Sequence, residues 1–198
     1  MLLAYSGGVA SGAMLSLVAE GVREGTAKKL RFRPGAIVYV DESSATSVSS
    51  SGLDDDAAEE NSRREILESL SRHCRTIFGQ ESVDGGEVEK PAPYSPSLFV
   101  APLENAMAIG EHGRSDMNSS SPSSIVEPNS PSSKLFVDVM EKSLGVDAYL
   151  ALKRDKKTIQ NRRRLSTFLT SLRSATSKIR AVQLLRRKLI SRIAKLHG

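Results

Sequence analysis

Apolar runs and a helical repeat alternate over the first forty residues. Leu2 to Tyr5 is a short apolar run that ends at Ser6-Gly7-Gly8, which is typical of a strand followed by a tight turn. From Ala13 the apolar residues recur at helical spacing, and this helix is predicted to end near Gly25. Its predicted apolar stripe comprises Met14, Leu17, Val18, Gly21 and Val22. Ala36 to Val40 is almost wholly apolar and rich in β-branched residues, which predicts a strand buried on both faces of a parallel sheet.

Another helix and another strand follow in the middle of the chain. Residues 57–78 have a helical period, with Cys74 on the predicted buried stripe as a small core residue rather than a nucleophile. The stripe is Ile66, Leu70, Cys74 and Ile77, with Leu67 and Phe78 at its margin. Ser97 to Ala101 predicts a third strand, which Pro102 ends. Glu104 to Ile109 is predicted to form a short helical turn.

The chain from Lys134 onward has a helical character. Leu135, Val139, Leu144 and Leu150 lie on interrupted helical pieces, and the clearest helix begins near Ser177. Its predicted core-facing stripe consists of Ile179, Val182, Leu185, Leu189, Ile193 and Leu196. Strands that alternate with helices predict an α/β fold.

Two segments are too rich in Ser and Asp or in Ser and Pro to build a core. Residues 43–56 and 110–133 are therefore predicted to be disordered insertions. The length of 198 residues suits one domain, and we expect residues 1–198 to form a single unit with a basic helical region at 151–198.

Charge is distributed unevenly along the chain. Residues 151–198 carry a net charge of +14, whereas the first 150 residues carry −9. A basic segment on an acidic body favours a polyanionic partner such as nucleic acid, and a solvated basic helix face is an equally good interpretation. The one cysteine excludes an internal disulfide and a cysteine-rich zinc site. The pattern predicts neither a membrane span nor a signal peptide, because the apolar start lacks a basic segment and is broken by glycines.

The ends of the three predicted strands carry the candidate chemistry. In a doubly wound sheet, ligands bind beyond the carboxyl ends of the strands, where this chain has Ser6-Gly7-Gly8, Asp41-Glu42 and Pro102. A glycine turn at a helix N-terminus suits an anion, although a plain tight turn has the same sequence. Asp41 is equally well interpreted as a nucleotide contact or as a loop carboxylate. The spacing matches neither the dinucleotide-binding fingerprint nor the Walker loop.

The segment Ser6-Gly7-Gly8-Val9-Ala10-Ser11 resembles the PP-loop, Ser-Gly-Gly-x-Asp-Ser, of ATP pyrophosphatases. Within that superfamily, four segments in order resemble the cytoplasmic tRNA 2-thiolation protein 2 family, the second subunit of the eukaryotic wobble-uridine thiolation complex. The segments are residues 3–8, residues 30–34 leading into 38–42, residues 98–104 and residues 184–198. The resemblance implies a Rossmann-like PP-loop fold of the adenine nucleotide alpha hydrolase type, with a parallel sheet. It places a degenerate nucleotide- or phosphate-binding site at Ser6, Gly7, Gly8, Ser11 and Asp41.

The resemblance also implies a function. Members of this family act with a catalytic PP-loop subunit to place sulfur on the wobble uridine of Lys, Glu and Gln tRNAs. The sulfur comes from a ubiquitin-like carrier, the complex is cytoplasmic, and the second subunit supports tRNA binding or assembly. The candidate RNA-binding residues are basic residues of the last helices, for which surface charge is the alternative interpretation: Arg162, Arg163, Arg164, Arg186, Arg187, Lys188 and Arg192.

Two features depart from the family pattern. Ala10 stands where the PP-loop has Asp, and a methyl group can neither coordinate Mg²⁺ nor orient a phosphate, which argues against ATP and Mg²⁺ as cofactors. The family also continues into further strands, so we expect an incomplete domain and a non-catalytic subunit. An active PP-loop enzyme that adenylates a tRNA base or a small acid, and a scaffold unconnected with RNA, are the alternatives.

Overall fold

A four-stranded sheet lies at the centre of the computed structural model. The structure describes residues 2–23, 35–46, 56–78, 96–113, 135–140 and 145–197. The strands are β1 (Leu2–Tyr5), β2 (Ala36–Asp41), β3 (Ser97–Pro102) and β4 (Val137–Asp138). The helices are α1 (Val9–Arg23), α2 (Ser43–Thr46), α3 (Asp56–Ile77), α4 (Gly145–Arg154), α5 (Lys156–Ser171) and α6 (Ala175–His197), and a 3₁₀ helix covers Leu103–Gly113.

The order of the strands follows the chain. β1, β2 and β3 are parallel neighbours, so that Tyr5 lies opposite Tyr39 and Asp41 lies opposite Pro102. The three predicted strands and the α/β class are therefore confirmed. The carboxyl ends of these strands meet at one edge of the sheet, as the sequence predicted for the candidate site.

The fourth strand corrects the prediction of a purely parallel sheet with only helical structure after Lys134. β4 pairs antiparallel with β3, with Phe99 opposite Asp138. The Asp138 carboxylate accepts hydrogen bonds from the backbone N–H of Leu98 (3.2 Å) and of Met140 (2.9 Å). A strand of two residues is too short to show a period of two, and its pairing depends on a side chain whose partner lies forty residues earlier.

Helices cover both faces of the sheet. Ile37, Leu98 and Val100 point to one face, where they pack with residues of α1, α3 and α4. Val38 and Phe99, their neighbours in sequence, point to the other face and pack with α5, α6 and the 3₁₀ helix. Burial of both faces explains why β2 and β3 are continuous apolar runs rather than alternating ones.

The helices exist where the sequence predicted them, but several present a different face to the sheet. In α3 the predicted Ile66 is 51% exposed and Leu67, predicted at the margin, is buried. In α1 the buried residues are Leu15 and Ala19, whereas Met14 and Leu17 are exposed. The predicted stripe of α6 is correct at Leu189 and Ile193 and wrong at its ends, Ile179 and Leu196, which are exposed. When apolar residues lie on several faces of a helix, the helical pattern alone does not determine which face is buried. That face depends on how the helix packs on the sheet.

Some predictions concern residues at the limits of the described ranges. The predicted end of the first helix, Gly25, lies outside them, and α1 is described as far as Arg23. The predicted insertion 43–56 begins with the short helix α2, and residues 47–55 are not among those described. Residues 110–113 of the second predicted insertion belong to the 3₁₀ helix, and 114–133 lie outside the described ranges. No helix in the described part of the chain has the length and apolarity needed to cross a membrane.

Replacement of Leu189 by Ala tests the packing of α6 on the sheet. Leu189 is fully buried, and the lost transfer energy and the cavity predict a decrease of about 2–5 kcal/mol in the free energy of unfolding. Leu184→Ala on the same helix is the matched control. Leu184 is 65% exposed, so its variant should stay within about 0.5 kcal/mol of the parent. Urea unfolding followed by circular dichroism measures both, and equal losses would contradict the observed orientation of α6.

Candidate functional site

The turn between β1 and α1 contains three of the predicted site residues, Ser6, Gly7 and Gly8, and the first turn of α1 contains a fourth, Ser11. Gly7 has φ of +76°, a conformation that side chains rarely adopt, and a Cβ atom there would lie 3.5 Å from Cε2 of Tyr39. The Ser6 hydroxyl donates to the Ser11 hydroxyl at 2.9 Å, which in turn donates to the Gly8 carbonyl at 2.8 Å. The turn is therefore closed by its own hydroxyl groups, and no bound ligand is needed to hold its shape.

A pocket of about 360 Å³ opens beyond the carboxyl ends of β1 and β2. Of the predicted site residues it brings together Ser6, Asp41 and Arg186, while Gly7, Gly8 and Ser11 lie outside its lining. The remaining lining residues come from the strand ends, α2, α3, α4 and α6, and are Ala4, Tyr5, Val38, Tyr39, Val40, Glu42, Ser43, Thr46, Arg63, Ile66, Leu67, Tyr149 and Ile190. A crevice thus exists at the ends of β1 and β2, as the sequence predicted, but its lining does not include Pro102 at the end of β3.

Asp41 forms one wall of this pocket and is fully engaged by the protein. Its Oδ2 atom accepts a hydrogen bond from the Tyr149 hydroxyl at 2.5 Å, and Oδ1 accepts one from the backbone N–H of Ser43 at 2.9 Å. The Lys153 ammonium lies 3.4 Å and the Arg63 Nε 3.6 Å from Oδ2. Such a carboxylate has little capacity left for a ribose or a metal ion.

A second carboxylate, Glu104, shares the same lysine. Lys153 Nζ donates to Glu104 Oε1 at 2.7 Å, and the Ser44 hydroxyl donates to Oε2 at 2.6 Å. Lys153 and Glu104 are both buried, and buried ions need partners and hydrogen bonds to offset the loss of hydration. The lysine therefore connects the ends of β2 and β3 to α4.

The electrostatics of the network keep Asp41 ionised. Burial alone would raise the pKa of Asp41, but the Lys153 charge and the hydrogen bonds from Tyr149 and Ser43 outweigh it and lower the pKa to about 2. Burial, together with the nearby Asp41 charge, raises the pKa of Tyr149 well above its usual range. Asp41 is thus an anion and Tyr149 a neutral donor at neutral pH, which suits a fixed support better than a proton-transfer group.

Sequence reasoning missed most of this network, although one signal for it was present. Glu104 follows the end of β3 as Asp41 stands at the end of β2, so two carboxylates on neighbouring strands could have been expected to need a common cation. Nothing in the pattern pointed to Lys153 rather than one of the other lysines. Cys74 is fully buried, and burial raises the pKa of its thiol to about 11, which confirms its interpretation as a core residue.

The candidate RNA-binding residues fall into two groups in the structure. Arg186 pairs with Glu42 at the pocket, and the Arg162 Nε lies 3.7 Å from Glu104 Oε1. The other candidates are exposed on the outer sides of α5 and α6: Arg163, Arg164, Arg187, Lys188 and Arg192. The first group faces carboxylates at the strand ends, and the side chains of the second group are exposed.

The described residues do not bring three or more His, Cys, Asp or Glu side chains together as a metal ion would require.

Acid should remove the stabilisation that Asp41 provides. Because its pKa is about 2 in the folded protein and has an ordinary value of 3.8, the stabilisation is complete above pH 4 and is lost as the pH falls towards 2. The expected loss is about 2 kcal/mol. Urea unfolding between pH 7 and pH 2 should show this loss in the parent and not in Asp41→Asn.

The matched control is Asp155→Asn. Asp155 caps the exposed start of α5, where Asn serves equally well, so this variant should keep the pH dependence of the parent. An Asp41→Asn variant with the same pH dependence as the parent would contradict the lowered pKa.

Comparison with known proteins gives matches in sequence only. No family model and no solved structure matches the chain significantly. Cytoplasmic tRNA 2-thiolation protein 2 of Danio rerio is 29% identical over 98% of this chain, and the match covers 34% of that protein. Proteins 2-A and 2-B of the same description from Xenopus laevis are each 51% identical over 49 residues, 25% of this chain and 9% of theirs.

The chain thus spans about a third of the length of the Danio rerio relative and a smaller share of the Xenopus laevis ones. The long match nevertheless includes both the strand-end site and the basic helices, since it extends over nearly every residue of the chain. The chain is therefore similar, over nearly its whole length and about a third of the relative's, to a cytoplasmic tRNA 2-thiolation protein 2.

Proposed function

We propose that the chain is part of a non-catalytic subunit of the cytoplasmic complex that 2-thiolates the wobble uridine of Lys, Glu and Gln tRNAs. The observation that carries this proposal is the similarity to the Danio rerio protein over 98% of the chain. The proposed partners are a catalytic PP-loop subunit, which forms a heterodimer with this one, tRNA, and a ubiquitin-like sulfur carrier. The fold proposed for the sheet and its helices is of the PP-loop type.

The non-catalytic role is supported by the chemistry of the strand-end site. Ala10 supplies no carboxylate near the turn, and Asp41 is held by Tyr149, Ser43 and Lys153. Catalysis of adenylation needs groups aimed at the phosphates and at Mg²⁺. In this proposal those groups belong to the catalytic partner.

The proposed role in tRNA binding is supported by the helical layer formed by α5 and α6. Residues 156–198 contain thirteen Lys or Arg and no Asp or Glu. The inner faces of these helices pack on the sheet through Leu165, Leu169, Leu189 and Ile193, so that much of this charge lies outside. A surface of one sign attracts phosphates over a distance of about 10 Å at moderate salt.

An ATP-dependent adenylating enzyme is the second candidate, favoured by the left-handed Gly7 and by the pocket at the strand ends. Release of pyrophosphate from ATP and Mg²⁺, measured with the isolated protein, discriminates the two functions. We expect no release above a protein-free control, because position 10 has no carboxylate. Release that depends on Ser6 and Gly7 would favour the enzyme.

Binding of tRNA should weaken steeply with salt, because phosphate contacts release counterions. Replacement of Lys188 by Gln should lower affinity by a similar factor for all tRNAs. It should also reduce the slope of log affinity against log salt by about 1. Fluorescence anisotropy with labelled tRNA between 50 and 200 mM salt, in the presence of the catalytic partner, measures both quantities.

Arg64→Gln provides the matched control. Arg64 lies on α3, on the opposite layer, and pairs with Asp147 at 2.7 Å, so its loss removes one positive charge without touching α5 or α6. The parent slope should be retained in this variant. Salt-independent binding, or equal effects of the two substitutions, would count against the proposed surface.

A further inference from the structure

Apolar side chains line the pocket beyond β1 and β2, and the described part of the chain leaves some of them partly exposed. Ile66 of α3 lines it and is 51% exposed, although its place in the helical pattern predicted burial. Ile190 of α6 lines it too, and Tyr39 adds part of an aromatic ring. A planar ring suits a pocket that has apolar walls and a few polar groups at its edge. In this pocket, Ser6, Ser43 and Thr46 supply hydroxyl groups.

The charges at the pocket favour a neutral ligand group over a polyphosphate. Its two arginines are paired with its two acids: Arg63 lies beside Asp41, and Arg186 donates to Glu42. Arg63 also donates to the Ser43 hydroxyl at 3.1 Å and to Glu59. A triphosphate would have to displace these partners, whereas an uncharged ring would leave them in place.

The helix α6 connects the pocket to the basic surface. Arg186 and Ile190 line the pocket, and Arg187 and Lys188 follow Arg186 directly in the helix. Successive residues are rotated by about 100° in a helix, so one turn of α6 presents one side to the pocket and its exposed basic side to solvent. A chain of phosphates on the outer side of α6 would pass within one helix diameter, about 10 Å, of the pocket mouth.

We propose that this pocket receives the base of an unpaired RNA nucleotide whose neighbouring phosphates lie on the outer side of α6. The inference rests on the proposed role in RNA binding and adds a preference for unpaired nucleotides to it. Single-stranded bases are recognised by stacking on side chains and by hydrogen bonds at their edges. Ile66, Ile190 and Tyr39 would supply the stacking surface. The Ser6 and Thr46 hydroxyls already donate to Ser11 and to the Ser43 carbonyl, so they would accept hydrogen bonds from the base edge, whereas the Ser43 hydroxyl, which accepts from Arg63, would donate one.

Two RNAs of equal length and charge test the proposal. One is a hairpin with 2-aminopurine in its unpaired loop, and the other is a fully paired duplex. With the full chain and its catalytic partner, we expect tighter binding of the hairpin and a change of 2-aminopurine emission on binding. Ile66→Ala should reduce the preference for the hairpin about three- to tenfold, because the lost methyl and methylene groups no longer contact the base.

Leu17→Ala is the matched control, since Leu17 is an exposed apolar residue on α1, 68% exposed and outside the pocket lining. It should leave the preference unchanged, and a thermal melt verifies that both variants fold.

If both RNAs bind, and Ile66→Ala weakens them equally or the emission does not change, the pocket proposal is overturned while the RNA-binding role stands. If neither RNA binds, both proposals fail. If the pocket binds free AMP but not the loop base, its ligand is a free nucleotide, and the proposal that it receives an RNA base is overturned.

Discussion

The arrangement of the strand ends depends on the contacts of the Lys153 ammonium group with Asp41 and Glu104. This group lies 2.7 Å from a Glu104 oxygen and 3.4 Å from an Asp41 oxygen, and all three residues are buried. Without this cation, two carboxylates at the ends of neighbouring strands would repel each other in a medium of low dielectric constant. The lysine belongs to α4, so the same contact that neutralises the strand ends also fixes α4 on the sheet, with Tyr149 one turn earlier as a second link to Asp41.

The fixed network has a direct consequence for ligands. In a doubly wound fold, the residue at the end of a central strand is well placed to contact a nucleotide, and Asp41 occupies that position. Here both oxygens of the Asp41 carboxylate accept hydrogen bonds from the protein. Two candidate RNA-binding residues also face carboxylates of the protein: Arg186 pairs with Glu42, and Arg162 Nε lies 3.7 Å from a Glu104 oxygen. Opposite charges therefore face each other at the strand ends, whereas most of the exposed basic side chains of this region lie on the outer sides of α5 and α6.

The sequence predicted those features that depend on neighbouring residues and missed those that depend on distant ones. The three parallel strands and the extent of α3 follow from local patterns of β-branched and periodic apolar residues. The orientation of α3 does not, because Ile66 and Leu67 are equally apolar and only the position of the sheet decides which is buried. The network around Lys153 unites residues more than a hundred positions apart in sequence, from Asp41 to Tyr149 and Lys153. Local patterns contain no information on such pairs.

The glycine turn after β1 keeps its shape without a carboxylate at position 10. Gly7 allows the chain to reverse against the Tyr39 ring, and the hydroxyls of Ser6 and Ser11 close the turn onto the Gly8 carbonyl. None of these contacts involves position 10, so the alanine there does not disturb the turn and offers no carboxylate to a metal ion or a phosphate. A turn stabilised in this way still positions α1 on the sheet and forms one side of the pocket through Ser6. The sequence of the turn therefore indicates the fold. The chemistry of the pocket depends on the residues of α3 and α6 that line it.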